Sequence, residues 1–162
     1  MAIVKGLNRI NKIINDFTQK NFGVTAELNA EFQAFCGSKV INYTLFYDED
    51  SRKFFMDDAE ARFPDVKADI FLWCLMHEIG HCMTDDAWTE ADTNFFLNIR
   101  DEYLPFVEDD QMRYDLYHAL PDEFIATNWA GNYMRKHPKK IAKFWAELQP
   151  AIIRMYKKNG VI

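Results

Sequence analysis

His77, Glu78 and His81 fall within Leu75-Met76-His77-Glu78-Ile79-Gly80-His81-Cys82-Met83, a run with the composition of a helix. Residues four apart on a helix stand one above the other, so His77 and His81 can offer two imidazoles to a single metal ion. Glu78 lies about 100° round the helix from His77, where a carboxylate reaches a water beside that metal. These residue types at this spacing point to zinc-assisted hydrolysis, with two nitrogen ligands and a general base on one element. Two histidines alone leave the site incomplete. Catalytic zinc takes three protein ligands and keeps a fourth position for water.

A third histidine six residues after His81 would complete one known arrangement, but that position is Ala87, and Thr84 stands where the same arrangement needs glycine. Asp85, Asp86 and Asp92 follow at short range, in an acidic turn of the kind that is usually solvated. Glu102 lies on the next segment, where Pro105 limits the helix that would present it. Glu123 is the strongest candidate. It opens Glu123-Phe124-Ile125-Ala126-Thr127-Asn128-Trp129-Ala130, and Ala126 and Ala130 share its helical face. Small side chains there let this helix approach the motif helix near Gly80. A first-turn glutamate is also favoured by the helix dipole with no metal present, so Glu102 and the three aspartates stay open as alternatives.

The oxyanion of an attacked carbonyl needs a hydrogen-bond donor besides the metal. His118 is the candidate, with Tyr114 and Tyr117 beside it, all shortly before Glu123. Cys74 and Cys82 read as buried packing on the motif helix, and His137 as a residue flanking a helix.

His-Glu-Ile-Gly-His followed by Glu-x-x-Ala-Thr-x-Trp-Ala resembles the ImmA/IrrE family of zinc metallopeptidases, which show H-E-x-G-H and then a helix reading approximately E-x-x-A-N-x-F-A. Glu123, Ala126 and Ala130 match; Thr127 stands for Asn and Trp129 for Phe. The resemblance implies one zinc ion held by His77, His81 and Glu123, with Glu78 as catalytic base and a protein or peptide as substrate. The stretch between the motifs is longer than is usual for the family. No helix-turn-helix segment accompanies it.

The elements that must position these residues follow from periodicity. Apolar residues from Ile3 to Phe17 recur at helical steps, and Asn21-Phe22-Gly23 should end that helix. Val24 to Phe35 fits either a strand or a helix. Lys39 to Tyr47 alternates as a strand, Asp48 to Ser51 reads as a turn, and Lys53 to Met56 as a second strand, together an antiparallel hairpin with an edge open to substrate. Pro64-Asp65 should open the motif helix, which is apolar on nearly every side. Thr84 to Asp101 suggests a turn and a helix, and Asp110 to Leu120 a short one. Pro121-Asp122-Glu123 is a helix start. After Pro138 comes a last helix that Pro150 should kink or divide. The expected fold is α+β, zincin-like and mostly helical, with a small antiparallel sheet or hairpin on the motif helix. It forms one domain over 1–162, with an N-terminal helix in 1–23 and a basic helix in 138–162.

Composition sets the remaining bounds. With 162 residues, 49% of them apolar, the chain can bury a core without disulfides. A net charge of -6 argues against nucleic acid as a partner. Three cysteines without a C-x-x-C pair suit a reducing compartment. No signal peptide and no run near the roughly 18 apolar residues of a membrane span are present, so a cytoplasmic protein with no membrane partner is expected. Acids crowd residues 48–110 and bases residues 135–158, which reads as two solvated faces of opposite sign or as a basic helix that docks an acidic partner. The second possibility belongs to a competing class: a phage or mobile-element protein that keeps the zinc fold and acts by binding a partner without proteolysis.

Overall fold

The computed structural model describes residues 6–45 and 49–161, and the backbone alone at 49–52. Helix α1 (Leu7–Phe22) carries the first apolar stripe, with Ile10 and Ile14 fully buried; Ile3 and Val4 lie outside the described residues. Gly23 ends it in the left-handed conformation (φ 66°), where a glycine has no Cβ to clash. The ambiguous stretch after it resolves into two strands, β1 (Thr25–Leu28) and β2 (Gln33–Phe35). Strand β3 (Val40–Tyr43) takes the front of the expected Lys39–Tyr47 strand; Phe46, Tyr47 and Asp48 lie outside the described residues.

The expected hairpin is not formed. Lys53 to Met56 belongs to helix α2 (Glu49–Arg62). Its governing period is four: Ala59 and Phe63 are buried, Phe55 packs on the same core, and Arg62 pairs with Asp58 one turn back. The sheet is therefore mixed, in the order β1-β3-β2, with β1 parallel and β2 antiparallel to β3. Its two edges differ. At β1, the Asn15 side chain of α1 accepts from the Ala26 N–H (2.9 Å) and donates to the Ala26 carbonyl (2.7 Å), in the manner of another strand. No strand lies outside β2 among the described residues.

Helix α3 (Ile70–Thr84) holds the His-Glu-x-x-His motif. It begins later than Pro64-Asp65, because Asp69 caps it by accepting from the Phe71 N–H at 2.8 Å, while Pro64-Asp65 forms a turn. Helix α4 (Glu90–Asn98) opens on a reciprocal cap between Thr89 and Asp92. It widens into a π-helical turn at Ile99–Tyr103 and a 3-10 turn at Leu104–Phe106. Helices α5 (Asp110–Ala119) and α6 (Pro121–Lys136) follow, the latter with proline at its first position. Helix α7 (Pro138–Lys158) passes through Pro150 without dividing. Pro150 and Ala146, whose carbonyl loses its usual donor, are both exposed, so water can serve that carbonyl.

The core gathers residues of α1, β1, β3, α2, α3, α6 and α7 into one cluster. Within it α3 packs most extensively on α6. A Cβ added at Gly80 would stand 2.6 Å from the carbonyl oxygen of Ala126, and both Ala126 and Ala130 are fully buried. Glycine at 80 and alanines on α6 thus set the distance between the two helices. On α7, Ile141, Phe144, Leu148 and Met155 face the core, while Lys139, Lys140, Lys143, Lys157 and Lys158 are exposed. No helix among the described residues is long and apolar enough to cross a membrane.

Candidate metal centre

The close approach of α3 and α6 brings His77, His81 and Glu123 to one point. Their nearest ligand atoms all lie within 4.8 Å of one another, and no other such group of three occurs among the described residues. His77 Nε2 is 2.9 Å from Glu123 Oε2 and 3.1 Å from His81 Nε2, and His81 Nε2 is 3.4 Å from Glu123 Oε2. Ligands about 2.0–2.1 Å from a tetrahedral ion stand about 3.3 Å apart. The triangle therefore has the size that one such ion requires, and its three atoms are of the types that bind transition metals. His77 and Glu123 are nearly inaccessible, at 5% and 3% exposure, so their polar atoms must be satisfied inside the protein. A metal ion fits.

Each ligand is held from behind. His77 Nδ1 lies 3.0 Å from Thr127 Oγ1; when that nitrogen carries the ring proton and donates it, Nε2 presents a lone pair to the centre. Thr127 sits four residues after Glu123, on the same face of α6. The other Glu123 oxygen, Oε1, accepts from Arg100 at 2.7 Å. Arg100 also pairs with Asp122 and lies 5.6 Å from the centre of the Tyr117 ring. With Oε1 occupied by the guanidinium, Oε2 faces the imidazoles, which orients the carboxylate for single-oxygen ligation.

The electrostatics agree with this arrangement. Burial would raise the Glu123 carboxyl, but hydrogen bonds and charge from His77 and His81 outweigh it and hold the group well below the carboxylate range. Burial would lower His81, yet its contact with Glu123 prevails and lifts it to about 9. Glu78 is raised, chiefly by burial, with the neighbouring imidazoles acting against the shift. A raised carboxyl is the better proton acceptor near neutrality.

Glu78, His81 and Glu123 open onto a cleft of about 420 Å³. Phe32, Gln33 and Ala34, at the β2 edge, line it together with Trp88, Phe96 and Leu97 of the segment after the motif. The sequence placed a strand edge beside the metal in the wrong hairpin; β2 holds that position.

The other expected residues separate. Glu102, Asp85 and Asp86 are exposed, Asp92 serves the cap of α4, and none joins the triangle. His118 does not line this cleft. It is buried against Phe55 and lines a different hollow with Asp57, Asp58 and Phe124, and neither ring nitrogen has a hydrogen-bond partner among the described residues. Tyr117, one position earlier and about 100° round α5, is the residue that lines the cleft beside Glu123. Its phenol is raised well above the usual value, first by burial and then by the charges of Glu123 and Glu78, so it stays protonated. Arg100 was missed altogether. A signal existed, since it is the one Lys or Arg between Lys67 and Arg113.

Compared with protein families, curated proteins and solved structures, the chain matches none of them. The functional reading rests on the geometry.

Proposed function

We propose that the chain is a zinc-dependent peptidase with His77, His81 and Glu123 as ligands and Glu78 as general base. The observation that carries this is the triangle of ligand atoms at tetrahedral spacing, with a desolvated glutamate on the next residue of the same helix. The resemblance of the two motifs to the ImmA/IrrE family points the same way. Zinc held there supplies Lewis acidity, which makes a water near it more acidic and polarises a peptide carbonyl.

The protein's own groups do the rest. Glu78 accepts a proton from the attacking water and returns it to the leaving amine. Tyr117 replaces His118 as the expected oxyanion donor, because its protonated phenol enters the cleft and the His118 ring does not. Arg100 and Thr127 fix the orientations of Glu123 and His77. The β2 edge, outside which no strand lies among the described residues, aligns an extended peptide by main-chain hydrogen bonds, and Trp88, Phe96 and Leu97 offer an apolar wall to its side chains.

The test is cleavage of a peptide library by the zinc-loaded chain and by its Glu78→Gln variant. Cleavage by the first and not by the second, with equal zinc in both, is the expected result. Equal cleavage by the two, or none by either, would overturn the reading.

A further inference from the structure

From Glu90 to Leu116 the chain runs through α4, the π-helical and 3-10 turns and most of α5, and in that stretch only Phe96 and Leu104 are buried. Large apolar side chains are nevertheless plentiful on it. Phe95, Leu97, Tyr103, Phe106, Met112 and Leu116 are exposed, six of the twelve such side chains among the described residues, with Tyr103 at 68% and Phe106 at 82%. Isolated apolar groups at a surface are ordinary, but a connected set marks a place where another molecule sits. Leu97 lines the cleft, and the other five are connected through the backbone. Phe95, Ile99 and Tyr103 recur at four-residue steps along α4 and its π-helical turn. The 3-10 turn that follows carries Phe106 and packs on α5, and Arg113 locks the two together by donating to the Val107 carbonyl at 2.9 Å. Met112 and Leu116, one turn apart, stand on the outward face of α5, away from the buried His118.

Charge decides what this surface accepts. The stretch has eight acids against two bases, Arg100 and Arg113. Both arginines are engaged, Arg100 by Asp122 and Glu123 and Arg113 by Asp110. Asp92 and Asp109 cap helices and Asp115 accepts from Gln111. Glu90, Asp101, Glu102 and Glu108 remain, exposed and with no cation beside them among the described residues. Such a face repels nucleic acid, an anionic lipid surface and the same face of a second copy. The basic α7 of a second copy would meet the charge but not the apolar groups. Its own apolar stripe is buried in the core, and Ile153 is the one large apolar side chain that it exposes.

We propose that the face built by Phe95, Tyr103, Phe106, Met112 and Leu116 docks a cationic amphipathic segment of a partner protein, one with large apolar side chains set between Lys or Arg residues. The apolar groups of that segment cover the exposed rings, and its cations pair with Glu90, Asp101, Glu102 and Glu108. The faces of Phe and Tyr rings also attract Lys and Arg, so both halves of the segment are accommodated. Docking does not depend on hydrolysis at the metal centre.

The probe is a peptide of Leu and Lys patterned as an amphipathic helix of about four turns, with a Leu/Glu peptide of the same pattern as control. Binding to the full chain is followed by fluorescence anisotropy. The Leu/Lys peptide should bind and the Leu/Glu peptide should not, and raising salt from about 0.05 to about 0.5 M should weaken binding at least about threefold. The chain carrying both Tyr103→Ser and Phe106→Ser should lose at least about tenfold in affinity, and so should the chain carrying both Glu102→Lys and Glu108→Lys. All four side chains are exposed, so the fold survives their replacement, as circular dichroism checks. Ile153→Ser, on α7, should leave the affinity unchanged. No binding of the Leu/Lys peptide, equal binding by the substituted chains, or tighter binding of the Leu/Glu peptide sinks the proposal. A dimer of the free chain that Phe106→Ser disperses, or adsorption to phosphatidylcholine vesicles that the same variant abolishes, also sinks it, because each assigns the face a different occupant.

Discussion

Two hollows of similar size border α5 and α6, one of about 420 Å³ beside Glu78, His81 and Glu123, the other of about 450 Å³ beside Asp57, Asp58, Asp115 and His118. Both contain a histidine and several carboxylates, so residue type alone does not separate them. Only the first brings three ligand atoms to a point. In the second, Asp58 is occupied by Arg62 and Asp115 by Gln111, while the His118 nitrogens face no partner among the described residues. The difference is one of backbone. Gly80 against Ala126 lets two helices meet closely enough for their side chains to share a point. Acidic and imidazole groups become a site when rigid elements aim them, not when they are merely near.

The sharpest way to break the comparison is to remove the one ligand that α3 does not supply. Glu123→Ala should abolish stoichiometric zinc, and with it all cleavage, while Asp58→Ala in the other hollow leaves the zinc content of the purified chain unchanged. Equal zinc in both variants by elemental analysis would erase the distinction. Glu78→Gln should lower turnover by about 10²–10⁴-fold with zinc retained, as expected for loss of a general base. Arg100→Gln and Thr127→Val, each removing a support behind a ligand, should weaken zinc by about 10–100-fold in a competition titration with a chelator.

Proton linkage gives a further test. His81 is raised from 6.5 to about 9 by Glu123, so its pairing stabilises the metal-free chain fully below pH 6.5, and that stability is lost as pH rises through 9. Glu123 is held below 4.5, so its share is present above that pH and is lost as pH falls through its lowered value. Zinc must displace the His81 proton. Near pH 7.5 calorimetry in buffers of different ionisation enthalpy should therefore show about one proton released per zinc bound. The smallest effect is expected at His118. Its buried nitrogens bond nothing among the described residues, so His118→Leu should leave zinc affinity unchanged and stability equal or higher by about 1 kcal/mol in urea unfolding.

Much of the first hollow was legible in the sequence. The four-residue spacing of His77 and His81, and the steps of three and four from Glu123 to Ala126 to Ala130, fix faces on helices, and Gly80 marks where those faces meet. What stayed hidden depends on tertiary context. Phe54-Phe55-Met56 is too short an apolar run to show its own period, and only the packing of Phe55, Ala59 and Phe63 on the core reveals α2. β2 has only three residues before the 3-10 turn that joins it to its antiparallel partner β3, too short a run to show its own alternation. Tyr117 and His118 are adjacent, and the sequence does not say which side of α5 faces His77, His81 and Glu123. Arg100 is delivered by a π-helical turn, which shifts its phase relative to the α4 residues before it.

The most direct test of the central claim is X-ray absorption at the zinc edge of the fully loaded chain. The expected spectrum shows two imidazole nitrogens and one carboxylate oxygen at about 2.0–2.1 Å with no sulfur. A sulfur shell at about 2.3 Å, which would draw the ion to Cys36 and Cys82, or a spectrum lacking imidazole scattering, would contradict His77, His81 and Glu123 as the site.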